Sequence, residues 1–255
     1  VVRGLELFAE RLAGFEDCYV LIGGSAAYLV QEDAGLEPRA TRDLDIVLCV
    51  ESLTFEFGQR MWEFIEEGGY ESRQVGDKPR NFYRFSKPSD PRFPAMLEFF
   101  AREPGHLPLI EDSHLTPVPI DEAVVSLSAI LLEADYYSLI HDHKREFLGV
   151  PVITEHALIP LKARAWLDLS KRKTAGEPVD SKNVKKHRND IFRLSRLLVP
   201  GETVELPGIA RDDMREFLGA QRGRLDAAYL KTLDIIDESG DEILDSLAQV
   251  YGVQA

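Results

Sequence analysis

Tyr19-Val20-Leu21-Ile22-Gly23-Gly24-Ser25-Ala26 and, after a loop, Thr41-Arg42-Asp43-Leu44-Asp45-Ile46-Val47-Leu48 are the two stretches on which the fold turns. Asp17 to Ile22 is a short apolar run suited to a buried strand, and Gly23-Gly24-Ser25 breaks it. Ala26 to Val30 then reads as helix. Asp33 to Thr41 carries Gly35 and Pro38 and reads as a loop. Ile46 to Val50 is unbroken, apolar and rich in branched residues, the pattern of a strand covered on both faces near the middle of a sheet. The order is strand, glycine turn, helix, loop, strand, which points to an α/β fold.

Side chains two apart on a strand project to the same side, so Asp43 and Asp45 face one way at the start of an otherwise apolar strand. Unpaired carboxylates near a core repel or protonate, whereas a divalent cation between them keeps both ionised. Hard oxygen ligands select Mg2+ or Mn2+. The glycines let a phosphate approach free backbone N–H groups at the positive end of a helix, and Ser25 adds a hydroxyl. Cation plus anion cradle implies a nucleoside triphosphate (NTP). Glu98 interrupts the apolar run Ala95 to Phe100 and is the expected third carboxylate, on an adjacent strand, as a metal ligand or proton acceptor. A plain turn and a pair of surface aspartates explain each element singly; their ordered combination is the specific signal.

Working outward, Glu6 to Phe15 has apolar residues at helical spacing, and Leu53 to Glu67 is an amphipathic helix stopped by Gly68-Gly69. Tyr70 to Val75, Asn81 to Ser86 and Ala95 to Phe100 read as strands. Ser126 to His143 with Val150 to Thr154 reads as a hairpin turning near Phe147 to Gly149, with helix the alternative for Ala129 to Glu133. From Glu155 onward the pattern is helical, with Asp180-Ser181 capping a second helix that Pro200-Gly201 ends. The expected division is a mixed-sheet domain over residues 1–155 followed by an α-helical domain over 156–255.

The 255 residues carry 30 Lys+Arg against 44 Asp+Glu, a net charge of -14, which argues against a protein that coats nucleic acid or anionic lipid over its whole surface. The charge is uneven: Lys162 to Arg196 holds 11 Lys/Arg and 4 Asp/Glu, a basic ridge suited to a phosphate-bearing partner or, more plainly, to solvated helix ends. No apolar run approaches the roughly 20 residues of a membrane span, and Val1-Val2-Arg3-Gly4 lacks the layout of a secretory signal. The first residue is Val, so upstream residues are expected to have been trimmed. A soluble, cytoplasmic protein is expected, with Cys18 and Cys49 as reduced packing residues.

The Gly23-Gly24-Ser25 turn followed by Asp43-x-Asp45 resembles the core motif of the DNA polymerase beta-like nucleotidyltransferase superfamily. Leu158-Ile159-Pro160-Leu161-Lys162-Ala163-Arg164-Ala165 and Lys185-Lys186-His187-Arg188-Asn189-Asp190-Ile191 are similar to later motifs of the AbiEii-type nucleotidyltransferases, toxin halves of bacterial type IV toxin-antitoxin pairs. The resemblance runs from about Tyr19 to Leu198. It implies a two-lobed enzyme that transfers a nucleotide from an NTP, in some members onto tRNA. It also implies that Asp43 and Asp45 ligate metal, that Lys162 binds the triphosphate, and that Asp190 is a further active-site carboxylate, with an antitoxin protein as partner.

Apart from the resemblance, Lys162 follows Pro160 in what reads as a first helical turn, where the dipole disfavours a cation unless an anion is near. Otherwise it is a lysine on a helix flank. Asp190 has the spacing to pair with Lys186 or Arg193. Arg42 and Thr41 are candidates to steady the phosphate or the loop, and Arg80 and Arg84 read as surface residues with the triphosphate as alternative partner. His141-Asp142-His143 reads as a polar strand face, Tyr136-Tyr137 as core, and Asp234 to Asp245 as an acidic helix face. The expected acceptor is an RNA 3′ end, with tRNA foremost, on the basic ridge. Transfer to an aminoglycoside or to a protein, and a non-catalytic nucleotide-binding module, are the rival readings.

Overall fold

The computed structural model describes residues 2–71, 82–101 and 133–253. Among these, the chain forms two compact units: the first takes 2–71, 82–101 and 144–154, the second 133–143 and 155–253.

The first unit is α/β. Helix α1 (Leu5–Arg11) leads to β1 (Tyr19–Ile22), α2 (Gly23–Asp33), β2 (Asp43–Leu48), α3 (Phe55–Gly68), β3 (Phe82–Ser86) and β4 (Met96–Ala101). The hairpin β5 (Lys144–Phe147) and β6 (Val150–Ile153) completes a six-stranded sheet of order β3-β4-β2-β1-β6-β5. It is mixed: β1 runs antiparallel to β2 and parallel to β6, while β2 is parallel to β4. All four residues of β1 are buried, as a strand covered on both faces requires, and β2 lies mid-sheet as its apolar run predicts. On one face, Phe8 meets Tyr19 and Phe64 edge-on, each at 5.4 Å, so α1 and α3 converge on β1. Thr54 caps α3 by accepting the Phe57 N–H, and Gly69 ends it in the left-handed conformation.

The glycine stretch departs from expectation. No turn separates β1 from the helix; α2 starts at Gly23 itself, with Ile22 as its N-cap. In the β5–β6 turn, Leu148 and Gly149 both have positive φ, the geometry of a tight hairpin.

The described part of the second unit is helical: α4 (Ala134–Asp142), α5 (Glu155–Thr174), α6 (Ser181–Leu194), α7 (Gly208–Gln221), α8 (Ala227–Lys231) and α9 (Gly240–Val250). Helix α4 corrects the strand expected there. Tyr136, Tyr137, Leu139 and Ile140 are all buried, and their spacing is that of one helix face, which the alternation in His141-Asp142-His143 obscured. The expected strand positions at 126–132, like 72–75 and Asn81, lie outside the described residues.

Helix α5 begins at Glu155, where the helical pattern was expected to start. Pro160 is inside it rather than at its start, so Lys162 lies two turns in and the dipole argument for an anion lapses. Pro160 has no N–H for the carbonyl of His156, four residues back. That carbonyl instead accepts the hydroxyl of buried Tyr251 at 3.3 Å. Asp180 caps α6 by accepting the Lys182 N–H, as predicted, and Ser239 with Glu242 forms a capping box on α9. The chain after Pro200 thus supplies three helices. Phe217 of α7 packs against Trp166 and Phe192, at 5.3 and 6.1 Å.

Candidate functional site

One row of side chains crosses the sheet of the first unit. Ile22 pairs with Asp45, Asp45 with Glu98, and Glu98 with Arg84, linking β1, β2, β4 and β3 at one level. Directly paired residues project to the same face, so Asp45, Glu98 and Arg84 stand side by side there. At the β1 end of this row the chain enters α2, and the backbone N–H of Gly24 donates to Asp45 Oδ2 at 3.1 Å. A carboxylate at a helix start satisfies one of the otherwise open N–H groups and meets the positive end of the dipole.

Gly23 is required by that approach. Its φ is +64°, and a Cβ there would run into the Asp45 carboxyl group, coming within 2.7 Å of Cγ. A Cβ on Gly24 would lie 3.1 Å from Thr41 Oγ1 and 3.8 Å from Arg39 Nη2, so the loop before β2 folds back over the helix start. Ser25 is fully buried, and its hydroxyl donates to the Ile22 carbonyl at 3.2 Å. Arg42 is exposed just before β2, while its carbonyl accepts the Ala95 N–H.

Glu98 is 7% exposed. Burial, then the Asp45 charge and a hydrogen bond with Asp45, push its carboxyl up to about 9, against the opposing pull of Arg84. The guanidinium contacts Glu98 Oε1 through Nε at 2.6 Å and through Nη2. Burial beside the Asp45 carboxyl group thus makes Glu98 hold its proton more tightly than a free glutamate, with Arg84 pulling the other way. Asp43 is half-buried opposite Met96, two residues before Asp45 and on the same side of β2.

Among the described residues, no group of three or more His, Cys, Asp and Glu side chains is arranged to hold a metal. The donor chemistry still fits a hard dication. Mg2+ keeps several waters and is commonly held by one or two carboxylates together with substrate phosphates. Asp45 and Glu98, side by side on neighbouring strands, are two carboxyl groups that could fill that part.

The other sequence-predicted residues belong to the second unit. Lys162 and Asp190, 5% and 4% exposed, meet each other: Nζ donates to Oδ2 at 2.7 Å between α5 and α6. Asp190 thus has a partner on another helix, beyond the neighbours that helical spacing offers. A second buried network joins Tyr136, Arg164 and Asp213, the carboxylate accepting from the tyrosine hydroxyl at 2.7 Å and from Arg164 Nη1 at 3.0 Å. It ties α4 and α5 to α7. Much of the basic ridge is engaged locally. Lys171 pairs with Glu216 at 2.9 Å and Arg172 with Glu177 at 2.7 Å. Arg188 bonds Gln221 and lies 4.1 Å from the centre of the Tyr229 ring.

Arg84 is the residue whose place sequence reasoning misjudged. Its side chain is 11% exposed and engaged with Glu98, where a surface position was expected. A lone arginine between aromatic residues, on a strand antiparallel to one bearing a lone glutamate, is the signal that pairs them. Arg80 lies outside the described residues. Among those described, no helix is long and apolar enough to cross a membrane. No family model matches the sequence, and no curated protein matches it.

Proposed function

We propose that the chain is a divalent-metal-dependent nucleotidyltransferase, built as a nucleotidyltransferase domain followed by a helical domain, that moves a nucleotide from an NTP to an acceptor hydroxyl. The observation that carries this reading is the contact of Asp45 with both Glu98 and the Gly24 N–H. A carboxylate pair is set directly beside a glycine-started helix end, the two features a metal–triphosphate complex needs together. When bound, Mg2+ or Mn2+ would offset the carboxylate charge and polarise the phosphoryl oxygens. Asp45 and Glu98 would hold it, with Asp43 on the same side of β2. Gly23 lets the Asp45 carboxyl group close on the helix start, and Arg39 and Thr41 stand beside Gly24 as further donors toward a phosphate there.

The later motifs of the AbiEii-type resemblance give Lys162 and Asp190 roles toward the triphosphate and in the active site. Their buried pairing supports an organised pair over two independent surface residues. An RNA 3′ end, foremost that of tRNA, is the favoured acceptor, on the exposed part of the basic ridge such as Lys182 and Lys185. The role as toxin of a type IV pair, with an antitoxin partner, rests on the resemblance. A second reading has its own observation: Asp45 anchors α2 and Glu98 pairs with Arg84, jobs a non-catalytic module would also use.

Purified protein incubated with Mg2+ and each α-labelled NTP, together with total RNA, an aminoglycoside or cell protein, tests the reading. Label in the RNA pool, lost in Asp45→Asn, supports it. Label confined to the aminoglycoside or the protein pool replaces the acceptor. No label in any pool favours the non-catalytic module.

A further inference from the structure

We infer that Arg84 makes the Asp45–Glu98 pair selective for a metal ion that arrives bound to a polyphosphate, over the bare ion. The inference rests on the proposed nucleotidyl transfer and assigns Arg84 a role in selecting the form of its substrate. Arg84 sits in the middle of β3, in register with Glu98 on β4, so the sheet itself holds the guanidinium against the carboxyl group. Nε and Nη2 both contact Oε1. With its side chain 11% exposed, the charge is poorly screened, and a guanidinium does not deprotonate to relieve repulsion.

A bare dication entering beside Glu98 meets this fixed positive charge and competes with it for a carboxyl oxygen. The complex of the same ion with a triphosphate carries net negative charge, so the guanidinium attracts it. One residue thereby disfavours the free ion and favours the nucleotide-bound form.

The test is direct Mn2+ binding to the full chain, read from the electron paramagnetic resonance signal of free Mn2+. It is run without nucleotide and with a non-hydrolysable NTP analogue, on wild type, Arg84→Met and Arg84→Lys. At close range a unit charge acting on a dication changes affinity by about tenfold or more. Arg84→Met should bind bare Mn2+ at least about tenfold more tightly than wild type and the Mn2+–analogue complex about tenfold more weakly. Arg84→Lys should stay near wild type in both. Each variant is melted first, and Arg84→Gln replaces Arg84→Met if the latter does not unfold cooperatively. A folded neutral variant that binds bare Mn2+ no more tightly than wild type overturns the inference and leaves nucleotidyl transfer standing. Wild type that takes up neither Mn2+ nor its analogue complex overturns both.

Discussion

Asp45 Oδ2 accepts the Gly24 backbone N–H at 3.1 Å, so a carboxylate in mid-sheet holds down the first turn of the helix that follows β1. Structural and chemical roles of this side chain can be separated. Asp45→Asn keeps an oxygen to accept that N–H, whereas Asp45→Ala removes it. Thermal melts should show Asp45→Ala less stable by about 1–2 kcal/mol, as for loss of a helix cap, with a smaller change in Asp45→Asn. Nucleotide transfer should be absent from both. Full activity in Asp45→Asn would rule out a metal-ligand role.

Gly23 and Gly14 both have positive φ, but their surroundings differ. A Cβ at Gly14 meets nothing within 4 Å, while at Gly23 it meets Asp45. Alanine at Gly14 should therefore cost only the backbone strain, about 1 kcal/mol. Alanine at Gly23 adds a collision and should cost at least about 1 kcal/mol more, with the Asp45 carboxyl group displaced. Chemical denaturation of the two variants checks the order.

The Lys162–Asp190 pair is nearly inaccessible to solvent. Removing one partner takes the opposite charge away from a buried group, so Lys162→Met should destabilise the fold by about 3–5 kcal/mol. Lys162→Met with Asp190→Leu removes both charges and should be more stable than Lys162→Met alone. If the pair also serves nucleotide transfer, the double variant stays inactive although its melting temperature recovers.

His143 lies with its ring 5.6 Å from that of His156, which is itself 3.2 Å from Glu202. Burial and then the neighbouring His156 push the His143 imidazole below its ordinary 6.5, against the pull of Asp142 and Glu155. The folded state thus prefers neutral His143. The stability it contributes is complete above the unfolded value and is lost as pH falls below it through the folded value. Melting temperature should drop between pH 7.5 and 5.5, and the drop should be shallower in His143→Gln.

How much of this was readable from sequence follows from the range of each signal. The placing of β1, β2 and Glu98 rests on short unbroken apolar runs and on one polar residue within such a run, and such local signals survive folding. The start of α2 at Gly23 was hidden because two glycines read as a turn, whereas here they admit a carboxylate against the helix backbone. Lys162 was put in a first helical turn because Pro160 marks a helix start unless a distant group satisfies the carbonyl it orphans. Tyr251, 95 positions away, does so. Arg84 was misplaced for the same reason: its partner is chosen by strand register, which no short stretch encodes.

The return of the chain to the sheet after α4 has a practical outcome for dissecting the molecule. Strand β6 covers one side of central β1, and it is synthesised only after α4 has been given to the other unit. A fragment ending at His143 would leave that side of β1 as a raw, fully apolar edge, prone to self-association. A fragment starting at Glu155 would lack α4, and Asp213 would lose its tyrosine partner. Neither half is a clean cut, so activities should be assigned by point substitution in the intact chain.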